Sequence, residues 1–179
     1  MKICVPLFYF SVPSVPSEVK FFVEVIMEKR DLSEILRHHP FVSDLSDHHL
    51  HILISCVSNV RFIEGSYIFH EGEEAEKFYL LREGKVALEI HSGEKGAIRV
   101  QTIGEGEVLG WSWIVSPYKW HYDACVIDDV RALAFDGKCL RTKCEADHDF
   151  GYEMIKRFSQ VLEQNLKAAR YQVMDVYGR

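Results

Sequence analysis

The sequence predicts an α+β chain dominated by β structure, with helices at both ends of a roll of short antiparallel strands. Three observations predict it. Apolar residues recur at helical spacing before residue 60 and again after residue 136. Eight of the eleven glycines fall between Gly65 and Gly110, separating short runs of strand composition. Within that stretch Lys85–His91 alternates in polarity residue by residue, the period of a half-buried strand.

Taken in order, the first helical spacing runs from about Glu18 to His39, through Phe22, Val25, Ile26, Leu32, Ile35 and Leu36. It stops at Pro40, which disfavours helix for the residue before it. Ser46 or Asp47 then offers an N-cap, and Leu50, Leu53, Ile54 and Val57 form the stripe of a second helix. In Lys85–His91 the alternation turns Val86, Leu88 and Ile90 inward. Ser92–Gly96 reads as a hairpin leading into a strand through Ile98 and Val100. Two later strands, near Tyr122–Ile127 and Arg131–Phe135, would close the roll, for eight strands in all. A short helix follows over about Gly137–Cys144, and a long one begins near Asp149. In the long helix Ile155, Leu162, Leu166, Ala169, Val173 and Val176 keep a spacing near 3.5, widened by Met154, Phe158 and Val161. A stripe that broad can cover the roll and still offer a seam to a second copy, so a homodimer through the C-terminal helix is expected. Residues 1–27 read as an extension, disordered or preceding a true start at Met27. The domain is 28–179, with the roll at about 60–136 and the C-terminal helices at about 137–177.

Composition narrows the function classes. A net charge of −6 with no block of lysine or arginine argues against nucleic acid or an anionic membrane as partner. No run of eighteen apolar residues exists, so nothing spans a membrane as a helix. The five cysteines (Cys4, Cys56, Cys125, Cys139, Cys144) show no paired-motif spacing; they read as reduced thiols of a cytoplasmic protein. His38–His39 and His48, His49 and His51, with Asp44 and Asp47 nearby, lack a ligand-spaced third group. His70, His91 and His121 stand apart from one another in the strands, so no metal is expected. Glu71–Glu76 reads as a solvated turn. Arg170 and Asp175 read as a pair to the roll or to a second copy. No nucleophile–base order, paired carboxylate or phosphate loop appears, so no catalytic residue is assigned.

Two ordered stretches carry a resemblance. Ile68–Ala75 (IFHEGEEA) followed by Phe78–Val86 (FYLLREGKV) resembles the signature of the cyclic nucleotide-binding domain family, with Gly72 and Gly84 expected at turns of positive φ. Ile103–Gly110 resembles the strand that enters that family's phosphate-binding cassette. The likeness spans about Leu32 to Tyr177 and implies an eight-stranded, jelly-roll-like β-roll. Family members that bind a nucleotide follow Gly-Glu with a helical turn and then Arg-x-Ala. The glutamate takes the ribose hydroxyl, and the arginine with backbone N–H groups takes the phosphate. Here the stretch is Gly110–Ala124, and an ungapped comparison puts Trp111 at the acid's position and Trp120 at the arginine's. All three tryptophans of the chain lie in it.

A hydrogen bond to a charged group contributes roughly 1.5–3 kcal/mol. Two lost ones therefore weaken binding about a hundredfold to ten-thousandfold. Lys119, one position off and a point charge, does not replace a guanidinium fork. The expected site is thus a degenerate cassette of Gly110, Trp111, Ser112, Trp113, Trp120, His121 and Tyr122, with no cofactor. Two readings of it stand: the aromatics fill the pocket, or they line a flat apolar cavity for another ligand. The function expected is a non-catalytic ligand-sensing or protein-interaction module; the alternative is a true cAMP or cGMP receptor using backbone contacts alone. With no recognition helix following the long helix, direct DNA regulation is not expected.

Overall fold

The computed structural model describes residues 32–92 and 96–177. The expectations for residues 1–27, for the helical spacing before residue 32 and for the hairpin tip at 93–95 lie outside them. Residues 32–37 are helical (α1), and Arg37 is the last helical residue before Pro40. Helix α2 spans Asp47–Ile54. Ser46 caps it, its side chain accepting from the His49 amide, and Leu50 and Leu53 face the core. Val57, expected in this helix, instead opens strand β1.

Six strands form one antiparallel sheet among the described residues: β1 (Val57–Phe62), β2 (Tyr67–Phe69), β3 (Lys77–Ser92), β4 (Gly96–Ile103), β5 (Val108–Leu109) and β6 (Asp123–Asp136). The sheet order is β1-β6-β3-β4, with β2 on β6 and β5 on β3. Eight separate strands are not seen among the described residues. β3 and β6 each run unbroken where the sequence suggested two strands and a turn. Gly84 shows why. Its φ is +86° as expected, but it sits inside β3, and a Cβ there would run into the Asp129 carbonyl of β6. The glycine permits close approach of two long strands rather than a reversal between short ones.

A second departure is the alternation at Lys85–His91. Val86 and Leu88 are buried, but the pairing with β4 shifts register between Leu88 and Glu89. The extra residue of that bulge is Val100, on β4, so the alternation of β3 itself is kept; both faces of β3 are covered here, with Ala87 at 0% and Glu89 at 9% exposure, whereas Ile90, expected inward, is 37% exposed.

Helix α3 (Gly137–Ala146) and the 30-residue α4 (His148–Tyr177) follow the sheet. The central strands are buried on both faces. Phe78 and Leu80 of β3, with Leu133 and Phe135 of β6, face a core shared with α1–α4. Tyr79 and Leu81, with Val130, Ala132 and Ala134, face the roll interior. The stripe of α4 divides in the same way. Met154 and Phe158 are buried against the sheet, whereas Ile155, Leu166 and Val173 are more than half exposed. The side chains of Asp175 and Val176 lie outside the described residues.

The reduced-thiol expectation is overturned at two positions. Cys56 and Cys139 form a disulfide across 83 residues of sequence, while Cys125 and Cys144 are free thiols. No spacing motif announces it, because β-sheet register makes the encounter: Val57 pairs with Phe135, setting Cys56 beside the start of α3. Among the described residues no helix is long and apolar enough to cross a membrane.

Candidate functional site

The cassette runs from the end of β5 through a 3₁₀ turn, Ser112–Ile114, to the start of β6. Of the seven residues assigned from sequence, Gly110, Trp111, Ser112, Trp120, His121 and Tyr122 border one small pocket and Trp113 does not; the aromatic side chains divide among three destinations.

Trp113 points to the helix side. It is fully buried and stacks at 5.3 Å on Phe78, edge-on to Phe158. Its indole N–H has no hydrogen-bond partner among the described residues.

Trp120 points into the roll. It is 5% exposed and lies face to face on Phe69 at 3.7 Å between ring centroids. Gly110, at φ +90°, is the floor under that indole: a Cβ at residue 110 would stand 2.7 Å from the Trp120 ring. The roll interior is also where Ala124, Ala132 and Ala134 face, small side chains that leave room for two stacked aromatics. Behind the cassette, between Phe69, Leu109 and Trp120, only about 20 Å³ stays empty.

Trp111, His121 and Tyr122 form the outer wall, with Trp111 stacked on His121 at 5.4 Å. Between this wall and α4 lies a cleft of about 260 Å³, lined by Trp111, Tyr122, Leu88, Leu162 and Ala169. Gln172 of α4 donates to the Val100 carbonyl across it. Gln101 Nε2 donates to Asn165 Oδ1 at 3.1 Å and separates this cleft from a second one of about 200 Å³, which Arg157, Gln160 and Gln164 line.

The returning limb of the cassette is zipped to the loop before β3. The Gly72 amide donates to the Trp120 carbonyl, Trp120 N to Glu73 O, and Ala75 N to Tyr118 O at 2.7 Å. Lys119 is drawn to Glu74 at 4.0 Å, so its charge serves the loop and not the cassette interior. From the other side Arg141 of α3 clamps the turn. Its Nη1 donates to the Trp113 carbonyl at 2.6 Å, and its guanidinium lies 4.3 Å above the Tyr118 ring. Sequence reasoning missed Arg141, since nothing in its local pattern distinguishes it from a surface arginine of a short helix.

The histidines separated in sequence are partly brought together. His70 Nδ1 lies 3.4 Å and His91 Nδ1 2.8 Å from the two oxygens of Asp123, the residue that opens β6. That carboxylate also accepts the Glu71 amide at 2.7 Å. Burial alone would raise the Asp123 carboxyl. The amide and the two imidazoles outweigh it and hold the group below its usual value. His48 instead pairs with Asp147 at 2.8 Å, tying α2 to the α3–α4 corner. Glu71, Glu73, Glu74 and Glu76 are exposed, as a solvated turn requires.

Comparison with known proteins agrees with this architecture. The cyclic nucleotide-binding domain profile matches residues 59–147. A cGMP-dependent protein kinase of Toxoplasma gondii is 35% identical over 66 residues, which are 37% of this chain and 6% of the kinase. This chain therefore corresponds to a small part of that relative. A Geobacter metallireducens structure, itself only provisionally assigned as a cyclic nucleotide-binding protein, superposes with a TM-score of 0.68 at 27% identity, covering 75% of this chain and 97% of its own. The regulatory subunit of a cAMP-independent protein kinase A from Trypanosoma brucei shares the fold with a TM-score of 0.65 at 21% identity, covering 86% of this chain and 53% of that one. Residues 59–147 thus place the chain in the cyclic nucleotide-binding domain family.

Proposed function

We propose that the chain is a non-catalytic regulatory module whose cassette is a fixed, aromatic-filled part of the fold rather than a receptor for cAMP or cGMP. The observation that carries this is Trp120: it occupies the roll interior and leaves about 20 Å³, the space of one water. Pockets that hold small molecules run to roughly 300–1,000 Å³. The absence of an acid and an arginine at the two cassette positions points the same way. The 260 Å³ cleft between the Trp111–Tyr122 wall and α4 comes close to that range, and a small flat apolar ligand held there would bear on the helix directly. Calorimetric titration with cAMP and with cGMP tests the reading. Dissociation constants weaker than about 10 μM are expected, and a tighter one for either nucleotide overturns it.

The exposed stripe of α4 supports a second part of the proposal, a homodimer in solution. Ile155, Leu166 and Val173 keep near-heptad spacing on exposed surface of α4, with Leu166 at the rim of the cleft and Tyr152 and Met174 exposed beside them. Sedimentation of the full chain at tens of micromolar should give twice the monomer mass, and Val173→Glu should halve it. A wild-type monomer at that concentration refutes the dimer.

A further inference from the structure

We infer that Cys56–Cys139 is a reversible thiol–disulfide site whose state sets how firmly α3 holds the cassette. It goes beyond the function proposed above and does not rest on it.

Position is the first argument. Cys139 lies in the first turn of α3, where its amide donates to the capping side chain of Asp136 at 2.7 Å. Two residues further on, Arg141 holds the Trp113 carbonyl and covers Tyr118. At the same end of the helix, the Gly137 amide donates to Glu76 O at 2.6 Å, and Gly137 packs so closely on Trp113 that a Cβ would come within 3.2 Å of the Trp113 Cβ. The first turn of α3 is therefore the floor of the cassette turn, and the disulfide fastens that floor to the end of the α2 layer.

The second argument is that the bond can open without dismantling the sheet. β1 and β6 stay joined by six successive pairs, from Val57↔Phe135 to Phe62↔Val130, and the Asp136 amide still donates to Cys56 O. Only the tether from α2 to α3 is lost.

Accessibility is the third. Cys56 is 8% exposed, while Cys139 is half-buried at the surface. An incoming small thiolate, RS⁻, reaches the Cys139 sulfur. The protein S–S bond breaks as the new S–S bond forms, and Cys56 leaves as a thiolate that takes a proton from water. A second RS⁻ then attacks the R-side sulfur of the mixed disulfide, releasing RSSR and Cys139 as a thiolate. Two thiols are oxidised and one protein disulfide is reduced, and the reverse sequence with RSSR restores it. Cys144 does not compete at neutral pH, since burial pushes its thiol up to about 11.

The test is made on the full chain. Peptide mapping of unreduced protein should recover Cys56 joined to Cys139, with Cys125 and Cys144 alkylated. Hydrogen–deuterium exchange before and after a phosphine reductant should then show segment 111–122 and α3 exchanging about tenfold faster, with β3 and β6 unchanged. Cys56→Ser/Cys139→Ser should exchange like the reduced protein whether or not reductant is present. Cys125→Ser/Cys144→Ser should keep the response. The inference is overturned if both Cys56 and Cys139 are alkylated without reduction. It is equally overturned if reduction leaves the exchange of 111–122 unchanged, or if β3 and β6 exchange together with it.

Discussion

Replacing Trp120 by alanine separates a filled roll from an open one. A tryptophan side chain at 5% exposure removes roughly 200 Å² of mostly apolar surface from water. At about 25 cal/mol per Å² that is near 5 kcal/mol, an upper figure because the unfolded chain already buries part of it. Its stack on Phe69 adds to this, and collapse of the neighbouring alanines subtracts little, because backbone fixes them in β6. Trp120→Ala should therefore cost about 3–5 kcal/mol, the range of large aromatic deletions in packed cores. Urea unfolding followed by circular dichroism would show it as a lower midpoint at unchanged slope. The substitution should also leave a dry cavity above Gly110 that accepts indole. Indole at a hundred times its dissociation constant would restore about 2.7 kcal/mol to the variant and nothing to the wild type. A loss below about 1 kcal/mol would mean that Trp120 lines a solvent-filled pocket, and the filled-roll reasoning would fail.

Other perturbations probe the pieces around it. Arg141→Ala removes a charge-assisted hydrogen bond to the Trp113 carbonyl and the cover over Tyr118; a loss of about 2 kcal/mol in urea unfolding is expected, with Arg141→Lys recovering little of it. Gly84→Ala forces a side chain into positive φ and against the Asp129 carbonyl, so it should cost well over ~1 kcal/mol by the same measurement. Asp123→Asn tests the His70–Asp123–His91 cluster by pH. The folded carboxyl is held low, so its contribution to stability is present above the unfolded pKa near 3.9 and is lost as pH falls through the folded value. Wild type should therefore exceed Asp123→Asn in stability at neutral pH, and the gap should close from about pH 5 downward; a gap that widens in acid contradicts the assignment.

Why some of this was legible in the sequence and some was not follows from the range of the interactions. The caps and strand composition are local, and they place Ser46, the glycine-bounded strands and the two C-terminal helices close to where they fold. Gly84 was readable as a positive-φ residue but not as a point of close approach, because the Asp129 carbonyl that requires glycine comes from another strand. The burial of Glu89 needs the second face of β3 to be covered, as it is at Ala87, and that cover leaves no mark on the polarity of β3 itself. The disulfide needs the β1–β6 register, a property of two segments and not of either one.

The cassette is the instructive case, because its composition announced the change of chemistry without deciding between two geometries. A signal for the filled form was present in Ala132-Leu133-Ala134-Phe135 of β6. The large residues of that run face the helices and the small ones face the roll, so the interior has a volume that some other side chain must fill. Trp120, stacked on Phe69 over a glycine, is the side chain of that volume. In a ligand-gated roll a bound nucleotide supplies interior contacts that the empty protein lacks, and the difference between the two states is the signal. On the reading proposed above, the chain supplies those contacts itself and the interior has one state. Any signal must then act outside the roll, on the wall facing α4 or on the floor beneath the 3₁₀ turn.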